Sequence, residues 1–219
     1  MVILVAKYQG FSLLEMLVAL ALSSLALTSL SAYFLQTHHS LLTLQQPLVL
    51  QQHVEQSLHS LTIDLRRAGY NSQEGKAATF TDVTHVVAVS DDHRSFGVVY
   101  FQPDEITTAA YFHVVYRYDP ENQNLLVCER ESAILLSFSE VVQSTRTAPC
   151  YQIFDGSYIK LKDFVVDSQA ISQGMEIRQW ITVNYRAALT SHPEIAFSNH
   201  WSQWVSNGYF VTPEGVMSW

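Results

Sequence analysis

The chain has 219 residues, 48% of them hydrophobic and 15% charged, and its formal net charge is −8. This length favours one globular domain with an additional segment over two full domains. The acidic balance argues against a general phosphate-binding surface and so against broad nucleic-acid binding, while it leaves a local basic patch open.

The first predicted element is a long apolar segment, residues 11–35, whose single charge is Glu15. As an α-helix it spans about 38 Å, which is enough to cross the ~30 Å hydrocarbon core of a bilayer with some tilt. A carboxylate deep in a bilayer costs roughly 2.5–3.5 kcal/mol, so Glu15 predicts a partner that neutralises it. A cleaved secretory signal, with a nominal site at residues 19–21, and a plain signal anchor are the alternatives. Neither of them explains Glu15.

The start of this segment, GFSLLE at residues 10–15, resembles the type III signal of type IV pilins and type II secretion pseudopilins. Those proteins carry a short basic leader that ends in Gly, then a Phe or Met, and a Glu at the fifth mature position. The resemblance implies a leader at residues 1–10, cleavage between Gly10 and Phe11 by prepilin peptidase, and N-methylation of Phe11. It also implies that Glu15 pairs with the N-terminal amine of a neighbouring subunit in the filament.

An amphipathic stripe follows the apolar segment. We therefore predict one helix from about residue 12 to about residue 67. Its half at residues 11–35 lies in the membrane or filament core, and its half at residues 36–70 is amphipathic. Pro47 predicts a kink or local unwinding, with a short loop between two helices as the alternative. The stripe, at helical spacing, consists of Leu50, Val54, Leu58, Leu61 and Leu65.

The end of this helix is marked by the sequence DLRRAGY at residues 64–70. Gly69 supplies a C-terminal stop, and Arg66 and Arg67 lie favourably against the helix dipole. The stretch resembles the Leu-Arg-x-Ala-Gly-Tyr element that follows the first helix in PilW-like minor pilins, including the PpdB-type proteins. This second resemblance narrows the pilin class to minor pilins.

The remaining chain, residues 71–219, predicts a β-rich domain with short turns and no amphipathic crossover helix. Regularly spaced strands of this kind predict a mainly antiparallel sheet. The alternation at residues 111–118 implies one buried face, and residues 119–122 form a turn. The fold class is therefore α+β and type IV pilin-like, with a long N-terminal α-helix packed on that sheet. The predicted strands are residues 85–90, 96–101, 111–118, 124–130, 133–142, 158–166 and 176–187.

The tail, residues 197–219, contains Trp201, Trp204 and Trp219. We expect it to form a Trp-rich edge that covers the sheet, with a subunit-contact surface as the sharper alternative.

The two cysteines of the chain are Cys128 and Cys150. Two lone cysteines are most often buried thiols in a cytosolic protein, whereas in an exported protein they favour a disulfide. Such a bond would close a loop of about 20 residues and stabilise the domain by ~3 kcal/mol. Because the pilin resemblance implies an exported domain, we expect Cys128 and Cys150 to be bonded.

Neither a metal centre nor an enzyme is indicated by the motifs of the sequence. The nine histidines show no ligand spacing such as His-Glu-x-x-His. Asp119, Glu121 and Asn122 offer oxygens to Ca²⁺, but they make sense as a turn. Because nucleophile-elbow, P-loop and dinucleotide-binding patterns are also missing, we expect no cofactor and no catalytic activity.

The resemblance implies a minor pilin that helps initiate type IV pilus assembly or lies at the pilus tip. Its partners would be prepilin peptidase, other minor and major pilins, and the inner-membrane assembly platform. It would span the inner membrane once, with a periplasmic C-terminal domain, and enter the pilus on assembly. A type II secretion pseudopilin of the J type is one alternative. A membrane-anchored periplasmic binding module that never polymerises is the other.

Overall fold

A computed structural model describes residues 12–71, 76–102, 110–143, 145–173 and 176–206. The chain divides into two units, Met1–Gln46 and Pro47–Trp219. The first helix, α1 (Leu13–Arg67), contains Pro47 and contributes to both units. The prediction of a single helix is therefore confirmed, and the alternative of a loop at Pro47 is wrong.

In the first unit, the apolar side chains of α1 from Leu13 to Leu41 are exposed. Leu13 and Leu25, for example, are 79% and 63% exposed. The Ser and Thr hydroxyls between Ser23 and Ser40 donate to carbonyls of the same helix, as where Ser29 Oγ donates to the carbonyl of Leu25 at 2.8 Å. The stretch Leu13–His38 has a mean hydropathy of 2.0 and is long enough to cross a membrane. Local satisfaction of hydroxyls suits such surroundings, because an apolar medium offers them no other partner.

In the second unit, the described residues form the second half of α1, two antiparallel sheets and a short helix. The predicted α+β class with mainly antiparallel strands is confirmed, and the strands divide into two sheets. The five-stranded sheet has the order β1 (Val87–Val89), β2 (Ser95–Gln102), β3 (Ala110–Asp119), β4 (Asn124–Ser132) and β5 (Tyr151–Gln152). The three-stranded sheet has the order β6 (Ile159–Gln173), β7 (Glu176–Leu189) and β8 (Ala196–Ser206).

The strand predicted at residues 133–142 is wrong, because this segment contains the helix α2 (Phe138–Val141). A capping box begins α2. Glu140 N–H donates to Ser137 Oγ at 3.3 Å, and Ser137 N–H donates to Glu140 Oε2 at 2.9 Å. These reciprocal bonds satisfy backbone donors that a helix start leaves open, so they favour a helical turn over an extended strand.

The helical stripe predicted from the sequence is buried. All five of its apolar residues are at most 3% exposed, and they share the larger core with the strands of both sheets. The strand residues of this core include Phe96, Tyr116, Phe164, Ile181 and Val183.

The opposite face of the five-stranded sheet is also buried, so the prediction of one buried face for β3 is wrong. Residues 78–83 and 135–142, together with Cys150, pack over it and close a second core. Because both faces are covered, alternate residues of β3 point into different cores. The second core contains Ala78, Phe80, Ala88, Val99, Phe101, Tyr111, Val115, Cys128 and Val141.

Two hairpin turns join the sheets. His93 and Gln123 have positive φ angles of 57° and 51°. Their carbonyls accept from β6, from Val166 N–H at 2.8 Å and from Leu161 N–H at 2.7 Å. These bonds cover the free edge of β6, which otherwise presents open backbone donors.

Candidate assembly segment and helix–sheet junction

The predicted processing residues Gly10 and Phe11 lie outside the described residues. Glu15 lies in the first turn of α1 and is exposed. Its N–H donates to the carbonyl of Ser12 at 3.0 Å. A carboxylate in a first turn is favoured by the helix dipole, so Glu15 is compatible with the start of α1.

The surroundings of Glu15 on α1 are apolar. Leu14, Met16 and Leu17 are 72%, 59% and 57% exposed. Among the described residues, these side chains of the first unit remain exposed. An apolar environment around them would raise the energetic cost of an unpaired Glu15 carboxylate.

The end of α1 is fixed by Gly69. This residue has a φ of 78°, and a Cβ atom there would lie 2.5 Å from Val86 Cγ1. Its N–H donates to the carbonyl of Val99 at 2.8 Å, and the carbonyl of Tyr70 accepts from Phe101 N–H at 2.7 Å. The chain thus leaves the helix alongside β2, where both the left-handed backbone and the close approach require glycine.

A buried hydrogen bond joins α1 to β3. Tyr116 Oη donates to Asp64 Oδ2 at 2.6 Å, and both residues are buried. Burial raises the pKa of Asp64, although the Tyr116 hydrogen bond and the charge of Arg67 act in the opposite direction. Burial and the neighbouring carboxylate likewise raise the pKa of Tyr116. The pair places a polar clamp inside an otherwise apolar helix–sheet contact.

Arg67 completes this junction. Its guanidinium carbon lies 5.6 Å from the ring centroid of Tyr100 in β2, within cation–π range. Residues 64–70, which resemble the Leu-Arg-x-Ala-Gly-Tyr element, therefore carry the polar clamp, the cation–π contact and the helix stop. Through Asp64, Arg67 and Gly69, this segment seats the end of α1 on the five-stranded sheet.

The predicted disulfide joins Cys128 of β4 to Cys150. It fixes the segment that covers the second core. Beneath that segment His113 is fully buried, its Nε2 accepts from Leu136 N–H at 3.0 Å, and its Nδ1 lies 3.2 Å from the carbonyl of Arg130. These partners define a neutral ring with its proton on Nδ1, and burial lowers the pKa of His113.

The turn at residues 119–122 is stabilised by hydrogen bonds to the Asp119 carboxylate. Asp119 Oδ1 accepts from Glu121 N–H at 3.0 Å and from Asn122 N–H at 3.2 Å, and Oδ2 accepts from Asn122 Nδ2 at 2.8 Å. These bonds lower the pKa of Asp119. Across the described part of the chain, no group of three or more His, Cys, Asp or Glu residues has the geometry of a metal site.

The fold and the N-terminal helix define a type IV pilin-like protein with a prepilin signal. Residues 5–31 match the prokaryotic N-terminal methylation motif, and residues 43–206 match the family described as prepilin peptidase-dependent protein B. Because the second match covers most of the chain, the chain belongs to the prepilin peptidase-dependent protein B family. The matched families are structural and pilin-like rather than enzymatic. No curated protein and no solved structure gives a significant match.

Proposed function

We propose that this protein is a minor pilin that helps to initiate type IV pilus assembly or lies at the pilus tip. One observation carries the proposal. A methylation motif at residues 5–31 begins an apolar helix, and the same chain continues into a domain of the prepilin peptidase-dependent protein B family. The apolar side chains of the first half of α1 are exposed. This exposure suits a subunit that moves from a membrane into a filament core.

In this proposal, prepilin peptidase cleaves between Gly10 and Phe11 and methylates the new amine of Phe11. Glycine at the cleavage position lets the protease approach the backbone closely. The amine of one subunit then pairs with Glu15 of a neighbour, which offsets the cost of burying either charge alone. Docking of successive subunits thereby becomes specific in register.

The proposed location is the inner membrane, with residues 71–219 in the periplasm until assembly into the pilus. The disulfide between Cys128 and Cys150 supports this location, since such bonds persist in oxidising compartments. The proposed partners are prepilin peptidase, the other minor and major pilins, and the inner-membrane assembly platform.

Processing is tested by Gly10→Leu, with Gln9→Leu as the matched control at the preceding position. We expect Gly10→Leu to accumulate as a precursor on gels and Gln9→Leu to be processed. Normal maturation of Gly10→Leu would contradict cleavage at this junction.

Assembly is tested by Glu15→Leu, with Glu55→Leu as a matched loss of an exposed carboxylate elsewhere on α1. We expect Glu15→Leu to be cleaved normally but to be missing from sheared pili, and Glu55→Leu to be incorporated. Incorporation of Glu15→Leu at the wild-type level would exclude the pairing.

Deletion of the gene, scored for surface pili, twitching and exoprotein secretion together, separates the functional classes. Loss of pili and twitching alone supports the minor pilin. Loss of secretion alone assigns the protein as a type II secretion pseudopilin of the J type, and no effect on either indicates a binding module that does not polymerise.

A further inference from the structure

The outer face of the three-stranded sheet carries a row of aromatic and polar side chains. The opposite face of the same strands points into the larger core through residues such as Ile181 and Val183. Strand pairing places the outer residues in four successive ranks across β6, β7 and β8. These ranks are Gln169–Trp180–Trp204, Asp167–Thr182–Ser202, Val165–Asn184–His200 and Asp163–Arg186–Ser198.

The first rank contains two tryptophans in contact. The ring centroids of Trp180 and Trp204 are 4.7 Å apart with an interplanar angle of 54°. Trp204 is 50% exposed although it lies in the middle of a paired strand. An indole left open to water on the solvent face of a sheet is a surface that binding of a ligand would cover.

The ranks that follow are hydrogen-bonding and nearly neutral. Thr182 Oγ1 lies 3.0 Å from Ser202 Oγ, and Asn184 and His200 are exposed beside them. These groups stand on rigid strands with fixed spacing, which holds them in place more firmly than loops would. They offer donors and acceptors without a dominant charge.

The four ranks contain two carboxylates, Asp163 and Asp167, and one guanidinium, Arg186, which lies opposite Asp163 in the strand register. Asp167 Oδ1 also lies 3.1 Å from His93 Nδ1. The formal charges of the four ranks therefore nearly cancel, whereas the whole chain has a formal net charge of −8. Charge complementarity therefore indicates a neutral, polar ligand for this face and disfavours a polyanion.

A surface cleft of about 350 Å³ lies at the far end of the row. The row from residue 180 to residue 186 of β7 extends about 20 Å at the rise of a strand. The tilted tryptophan pair thus forms an aromatic platform at one end of the row, and the cleft lies at the other end of the same sheet face. The cleft is lined by Asp163, Asn184, Tyr185, Arg186, Ser198, Asn199 and His200.

We propose that this face binds a neutral oligosaccharide. The indoles would cover the apolar C–H face of a pyranose ring, and the hydroxyl, amide and imidazole groups would hydrogen-bond its hydroxyls. A protein partner fits less well, because the buried centre of a protein interface is about 65% apolar and here the exposed apolar surface is confined to one rank. The inference concerns a surface separate from the assembly segment and does not depend on the proposed function.

The test is a titration of the full chain, purified in a detergent without a sugar head group, with cellohexaose, chitohexaose and maltohexaose. Tryptophan fluorescence reports binding at the platform. We expect saturable binding of at least one hexasaccharide, weakened at least tenfold by Trp204→Ala. Asn184→Ala, a change at an exposed position, should weaken it in the same direction with the fold intact.

The matched control is Trp201→Phe on the same strand, because Trp201 packs against the larger core rather than on the outer face. It should bind the sugar as the wild type does. Absence of saturable binding of all three sugars at millimolar concentrations would overturn the proposal, and so would wild-type affinity in both Trp204→Ala and Asn184→Ala. Protection of Trp204 only by another pilin would reassign the face to subunit contact.

Discussion

The two faces of the five-stranded sheet are buried by different means. One face packs against the second half of α1 and the three-stranded sheet, with a regular stripe that runs from Leu50 to Leu65. The other face is covered by mostly irregular chain at residues 78–83 and 135–142, which includes the short helix α2, around Phe80 and Val141. A helix buries its side through repeated apolar contacts, whereas irregular chain has no such periodicity to rely on.

The segments that cover this opposite face are held in place by a few specific hydrogen bonds and a disulfide instead. Asp82 Oδ1 accepts from Phe138 N–H at 2.7 Å, and Thr81 N–H donates to the carbonyl of Leu136 at 3.1 Å. The disulfide at Cys150 and the ring of His113 provide the others. The helix face should therefore respond most to loss of apolar volume, and the opposite face to loss of a covalent or polar link.

The largest effect is expected on the helix face. Leu61 is 0% exposed, so Leu61→Ala should leave a cavity and lower the free energy of unfolding of the second unit by about 2–5 kcal/mol. Leu48→Ala is the matched control, because Leu48 lies on the same helix and is 65% exposed. Urea denaturation measures both variants, and equal losses for the two would refute the contrast.

On the opposite face, removal of the disulfide should lower the free energy of unfolding by about 3 kcal/mol. The variant is the double replacement Cys128→Ala and Cys150→Ala, which leaves no lone thiol. Reductant provides the control, since it should destabilise the wild-type protein and leave the double variant unchanged. A double variant as stable as the oxidised wild type would show that this cover does not need its covalent link.

The hydrogen bond between Asp64 and Tyr116 provides a second test on the side of the sheet that packs against α1. Tyr116→Phe leaves the Asp64 carboxyl buried without its donor and should cost about 1–3 kcal/mol of unfolding free energy. Asp64→Leu combined with Tyr116→Phe should recover most of that loss, because both polar groups are then gone. Strict additivity of the two single changes in urea denaturation would argue against a coupled pair.

Local sequence signals correctly predicted the part of α1 that packs on the five-stranded sheet. The spacing of Leu50 to Leu65 requires one apolar helical stripe, and Gly69 ends the helix at a backbone conformation that glycine favours. No comparable sequence signal marked the segments that cover the opposite face of the five-stranded sheet. The apolar residues before Ser137 are typical of a strand, and the Ser137–Glu140 capping box, which was present in the sequence, outweighed that tendency.

The proposed functional residues and the residues of the helix–sheet junction differ in the same way. Gly10, Phe11 and Glu15 have fixed offsets in one short segment, so a sequence pattern carries them, and the methylation motif matches at residues 5–31. The contact between Asp64 and Tyr116 joins residues 52 positions apart. No local periodicity encodes a pairing at that distance, and only the docking of helix on sheet brings the two together.

The smallest expected effect is a pH dependence that differs in sign between the faces. Burial lowers the pKa of His113 below its ordinary value of 6.5, so below pH 6.5 the unfolded chain takes up a proton that the native ring resists. The contribution of His113 to stability is therefore full above pH 6.5 and is lost as the pH falls through its native pKa. Asp64 acts oppositely, because its raised pKa makes the native carboxyl protonate first as the pH falls towards 3.8.

Urea denaturation between about pH 7.5 and about pH 5.5 isolates the histidine, since titration in this range is typical of imidazole rather than of carboxyl groups. His113→Gln should flatten the fall in stability across this range. His59→Gln, at an exposed position of α1, should leave the fall as it is in the wild type. If His113→Gln kept the wild-type slope, the ring would not be the titrating link. The cover over the second core would then depend on its disulfide and on the Asp82 contact instead.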